Sequence, residues 1–137
     1  MKKVIAFLFS LVFVFSCDSD SSNVICTEQY KLISLEIVDT NGLPVALDSL
    51  KVMLGECDIT YEYTSQGYEE AKTTGMYILL SDEWQKELEN IESEIVFTGY
   101  IAGEEVVQES FRVTADCCHI QYADTKPLTI VYPGEFK

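Results

Sequence analysis

The chain is poor in the side chains that most chemistry needs. It has one histidine, His119, one arginine, Arg112, and 9 basic residues against 23 acidic ones, a net charge of −14. A surface of that sign repels nucleic-acid phosphates and anionic lipid headgroups, so no nucleic acid is expected as a partner. No G-x-S-x-G elbow, phosphate loop or dinucleotide fingerprint occurs. Acidity alone does not make a calcium site either. "DTNG" at 39 to 42 has only the opening of a twelve-residue loop and lacks its later carboxylate. A lone histidine with no recognisable nucleophile leaves no catalytic residue, metal ligand or cofactor to expect.

A membrane-spanning helix is also missing. The apolar run from Val4 to Phe15, behind Lys2 and Lys3, is about a dozen residues, where a bilayer needs roughly 17 to 25. With small Ser16 before Cys17, residues 1 to 16 read as an export signal. The cysteine at the cut, in "VFSC", resembles the lipobox of bacterial lipoproteins, which implies lipidation of Cys17 and anchoring by acyl chains. Residues 17 to 25, with "DSDSSN" behind the cysteine, read as a flexible tether. An acidic, serine-rich tether resembles the signal that carries some lipoproteins to the cell surface, so the expected address is the outer membrane, surface side rather than periplasmic.

Removing 16 of 137 residues leaves 121, and losing Lys2 and Lys3 leaves 7 basic against 23 acidic residues, or −16. That is the size of one domain with its own core. Ile33, Leu35 and Ile37 alternate with Ser34 and Glu36, and Leu50, Val52 and Leu54 with Ser49, Lys51 and Met53; each set has the period of a half-buried strand. Asn41-Gly42 marks a turn between them. Further strands are expected at 58 to 64, 76 to 80, 94 to 101, 105 to 113, 117 to 122 and 128 to 132. Seven or eight short strands argue for an all-β, antiparallel β-sandwich. One short helix is expected at 81 to 91, with Trp84, Leu88 and Ile91 on its apolar stripe and Ser81 or Asp82 as cap. "YEEAKTT" at 68 to 74 reads as a polar loop, and 133 to 137 as a C-terminal tail.

Two adjacent cysteines beside the histidine, "DCCHI" at 116 to 120, raise the question of a site. On a regular strand Cys118 shares the inner face with Ile120 and Tyr122, while Cys117 and His119 face out. Asp116 and His119 then project to opposite faces and form no acid-base pair. Zinc sites space their ligands differently, so disulfides are the expected use of Cys26, Cys57, Cys117 and Cys118 in an exported chain. A direct Cys117 to Cys118 bridge would strain the backbone, which leaves two connectivities.

"CTEQY" at 26 to 30, "SLEIVDTNGLPV" at 34 to 45, "TTGMYIL" at 73 to 79, "VFTGY" at 96 to 100 and "FRVTADCCHI" at 111 to 120 together resemble the carboxypeptidase regulatory-like domains of bacterial envelope lipoproteins. The resemblance spans 26 to 132 and implies a transthyretin-like sandwich. It also implies a Cys26 to Cys118 disulfide, which leaves Cys57 to pair with Cys117. Transthyretin-like hydrolases that open 5-hydroxyisourate depend on several histidines and a terminal Tyr-Arg-Gly-Ser; this chain has neither and ends "VYPGEFK". A non-catalytic accessory, adhesion or scaffold module that contacts an envelope protein or glycan is therefore expected. Tyr61, Tyr63, Tyr68, Tyr77 and Tyr100 are the aromatics that could contact a glycan or small ligand.

Lipidation is directly testable. Mass spectrometry of membrane-extracted protein should find a chain beginning at Cys17 with an added diacylglyceryl mass, and a soluble mature form beginning elsewhere would refute it.

Overall fold

The computed structural model describes residues 24–134. The export signal, Cys17, most of the tether and the last residues of the tail lie outside the described residues. The fold is all-β: two sheets pack face to face, with two short helices and a 3-10 turn between strands. Strands β1 (Leu32–Asp39), β4 (Met76–Ser81) and β8 (Thr129–Tyr132) form one sheet, in the order β4-β1-β8. The other holds β2 (Ser49–Leu54), β3 (Cys57–Asp58), β5 (Ser93–Ile101), β6 (Glu104–Ala115) and β7 (Ile120–Tyr122), in the order β3-β2-β5-β6-β7.

Alternation places the core. Ile33, Leu35 and Ile37 of β1 are buried, as are Val52, Ile95, Phe97, Phe111 and Val113 from the facing sheet. At the turn after β1 the Asp39 carboxylate accepts the N–H groups of Asn41 (2.8 Å) and Leu43 (2.9 Å), while Gly42 takes φ +79°. The chain then returns through Val45 and Leu47, both fully buried. Tyr77 clamps this return: its hydroxyl donates to the Val45 carbonyl (2.7 Å) and accepts from the Leu47 N–H (2.8 Å). Both backbone groups would otherwise be buried without a partner.

One strand pair departs from the antiparallel expectation. β8 runs parallel to β1, with Glu36 opposite Thr129 and Asp39 opposite Tyr132. The chain reaches β8 by crossing from β7 in the other sheet, so no hairpin dictates its direction.

Three local expectations are corrected. The strand expected at 58 to 64 is only Cys57–Asp58, because the Thr60 hydroxyl takes over the ladder, accepting the Val52 N–H (2.9 Å) and donating to Asp58. The loop expected at 68 to 74 belongs to helix α1 (Ser65–Thr74). Thr64 caps its start by accepting the Gly67 N–H (3.1 Å), and Gly75 ends it in the left-handed region, donating to the Ala71 carbonyl. Only Ala71 is buried along it, so its apolar face is too thin to register as periodicity. The helix expected at 81 to 91 is a 3-10 turn, Asp82–Trp84, followed by one turn, α2 (Gln85–Leu88). Trp84 and Leu88 face the core as expected, but Asn90 turns the chain at φ +57° and leaves Ile91 exposed.

Gly75 is the tightest of these joints. Its φ is +71°, and a Cβ there would stand 2.6 Å from the Ile37 carbonyl oxygen and 3.2 Å from Pro44. Gly103 also has a positive φ, +77°, but an added Cβ would meet nothing within 4 Å. Gly75→Ala should therefore cost about 2 to 4 kcal/mol in urea unfolding, and Gly103→Ala about 1 to 2. Equal losses would refute the close-approach argument.

Candidate functional site

Residues 116 to 119 are a turn rather than a strand, and this rearranges the side chains expected to alternate. Asp116 N–H donates to the His119 carbonyl (3.0 Å), and the Asp116 carboxylate accepts the N–H groups of Cys118 and His119, each at 2.8 Å. Those two backbone bonds hold the Asp116 pKa below the ordinary carboxylate value. Gln121 adds a bond to the same carboxylate (2.6 Å). The turn puts Cys117 in solvent and Cys118 half inside, where it bridges to Cys26 with the two Cα atoms 5.2 Å apart.

His119 is not an outward neighbour of the bridge. Its side chain is 22% exposed, and Nδ1 lies 2.8 Å from an Asp82 carboxylate oxygen. Because a carboxylate only accepts, Nδ1 carries the proton, and in the neutral ring Nε2 accepts the Thr27 hydroxyl at 2.9 Å. Asp82, 10% exposed, also accepts the backbone N–H groups of Lys31 (2.7 Å) and Ile120 (3.0 Å). Burial pushes its pKa up, but the bonds from Ile120, His119 and Lys31 outweigh that and leave it below the ordinary 3.8. The sequence marked Asp82 only as a candidate helix cap. Its pairing with His119 depends on tertiary placement.

Hydroxyl, imidazole and carboxylate thus stand in the order of a hydrolytic triad. Acyl transfer also needs a cleft and oxyanion donors beside the hydroxyl. The network fastens the segment before β1 to the turn before β7.

Cys57 and Cys117 are not bridged; both are free and exposed. Cys57 sits on β3 and Cys117 adjoins β7, at opposite edges of the five-stranded sheet. At about 4.8 Å per strand, three or four intervals separate them, well beyond the roughly 7 Å between Cα atoms that a disulfide spans. The sulfurs of Cys26, Cys117 and Cys118 all lie within 4.8 Å of one another. With two of the three joined, that cluster cannot present three thiolates to a metal.

The tyrosines divide. Tyr61, Tyr63, Tyr68 and Tyr77 step from surface to core in edge-to-face or tilted contacts, with centroids 5.0, 5.2 and 6.4 Å apart. This is not a flat platform. The Tyr63 oxygen accepts the Ile78 N–H, and burial pushes the Tyr63 pKa up to about 12. Tyr68 donates to the Leu47 carbonyl (3.1 Å), and Tyr77 is wholly buried. Tyr100 lies on β5, opposite Ser49 and Glu105. Tyr61 and Tyr63 wall a groove of about 300 Å³ with Thr64, Glu70, Thr74 and Met76.

The Asp82 network predicts an acid limb. A carboxyl whose folded pKa is lowered contributes its full stability above the unfolded value of about 3.8 and loses it as pH falls through the folded value. Asp82→Asn should cost about 1 to 3 kcal/mol near neutrality, and the gap to wild type in urea midpoints should narrow from pH 4 towards pH 2. A gap that stays constant with pH would refute it. No family model matches this chain, and neither does any curated protein or solved structure.

Proposed function

We propose that the chain is a lipid-anchored, non-catalytic module of the bacterial cell envelope, built as a carboxypeptidase regulatory-like sandwich, that works by contact with a macromolecule. The observation that carries this reading is the double fastening of the N-terminal segment. Cys26, nine residues after Cys17, is bonded to Cys118, and the next residue, Thr27, is hydrogen-bonded to His119. A pull through a tether from Cys17 would pass at Cys26 into the turn before β7, not unpeel β1. A disulfide in that place also suits an oxidising compartment. The acidic surface leaves membrane attachment to the acyl chains.

A second reading, binding of a glycan or small ligand, is favoured by the groove walled by Tyr61 and Tyr63. Mild crosslinking of the native envelope, followed by identification of what is captured, separates the two. A reproducible protein partner, retained in a folded His119→Ala variant, is the expected outcome. Captured polysaccharide would promote the second reading, and substrate turnover abolished by His119→Ala in a stably folded protein would refute the non-catalytic one.

A further inference from the structure

The free thiol of Cys117 lies 3.7 Å, sulfur to sulfur, from Cys118, and the Cys26 sulfur lies 3.7 Å from the Cys117 carbonyl oxygen. A free, exposed thiol beside an existing disulfide is an arrangement for exchange, in which a thiolate attacks one sulfur and displaces the other. The two ends of the bridge differ. Cys117 and Cys118 are neighbours on a turn held by the Asp116 carboxylate. Cys26 is exposed in a stretch without regular structure, before β1 begins at Leu32. Cys26 is therefore the sulfur that can swing between two partners, whereas joining Cys117 to Cys118 would force a bridge between adjacent residues.

We propose that Cys117 is a resolving thiol for the Cys26–Cys118 staple, so that the three sulfurs form an exchange centre that takes thiols and returns them. An incoming thiolate attacks the Cys26 sulfur and forms a mixed disulfide with it. The Cys26–Cys118 bond breaks, its electron pair goes to Cys118, and that thiolate takes a proton from water. Cys117, having given its proton to water, then attacks the same Cys26 sulfur and expels the original thiolate. The thiol that entered leaves unchanged, no oxidant is consumed, and the N-terminal segment is stapled again, now through Cys117. Cys57, free and exposed at the far edge of the sheet, has no such neighbour among the described residues and serves as an internal control.

The test uses the full-length exported protein, incubated with a glutathione and glutathione-disulfide mixture at mildly alkaline pH, trapped by alkylation and mapped as peptides without reduction. Wild type should yield a Cys26–Cys117 peptide beside the Cys26–Cys118 one, with matching alkylation of Cys118 and little glutathione on Cys26. In Cys117→Ala the expelled Cys118 is the one thiol left to reclose on Cys26, so alkylation of Cys118 should fall to the low level of glutathione on Cys26, while Cys57 keeps its wild-type level. The wild-type map needs no variant to fold. Absence of the Cys26–Cys117 peptide overturns the proposal, as does alkylation of Cys118 that stays at the wild-type level in Cys117→Ala.

Discussion

One carboxylate joins parts of the chain that the sheets alone would leave apart. Asp82 follows directly on β4 and accepts from Lys31 before β1, from Ile120 at the start of β7 and from the His119 ring. β1 and β4 belong to one sheet and β7 to the other, so this single group ties the two layers at one end of the sandwich. Placing it there has a desolvation cost, which a buried charge recovers only when its lone pairs are used. Here one oxygen takes Ile120 and the other takes Lys31 and His119. The N–H groups it accepts lie outside the strand ladders and gain partners in return.

The disulfide acts on the same junction by a different route. It joins residues 92 apart, and on the chain-entropy model closing a loop of that size is worth about 4 to 5 kcal/mol, mainly by restricting the unfolded chain. Asp82 and the bridge are not independent, since His119 follows Cys118 and Thr27 follows Cys26. Loss of the bridge would free the segment that positions Thr27, and loss of Asp82 would loosen the turn that positions Cys118. Their contributions should couple rather than add.

How legible each part was follows from how local its cause is. β1 declared itself because Ile33, Leu35 and Ile37 answer to a period of two and to burial alone. Helix α1 did not, since its hydrophobic face is little more than Ala71, although Thr64 and Gly75 carried the cap signals in plain view. The converse holds at Ile59, Tyr61 and Tyr63. Their alternation is genuine, but Thr60 takes the ladder bond by its side chain, and Tyr63 turns its hydroxyl to Ile78. At 116 to 119 alternation implies the faces of a strand that the Asp116 turn replaces. Pairing by remainder then failed for Cys57 and Cys117, because parity says nothing about which sheet edge a residue occupies. The Asp82 to His119 contact spans 37 residues and has no local signal at all.

The sheet edges limit how a partner can be engaged. Strand addition needs a free row of backbone donors and acceptors. On β4 the Ile78 N–H is taken by Tyr63 and the Met76 N–H by Thr74. β3 has two residues and β7 three, too few for a stable ladder. β8 has four, and Pro127 and Pro133 flank it, which limits extension at either end. Among the described residues these edges are short or occupied, and together with a net charge of −14 this discourages pairing with copies of the chain. Under the proposed reading, recognition of a partner would rest on side chains, and the groove walled by Tyr61 and Tyr63 offers rings, hydroxyls and a carboxylate in one place.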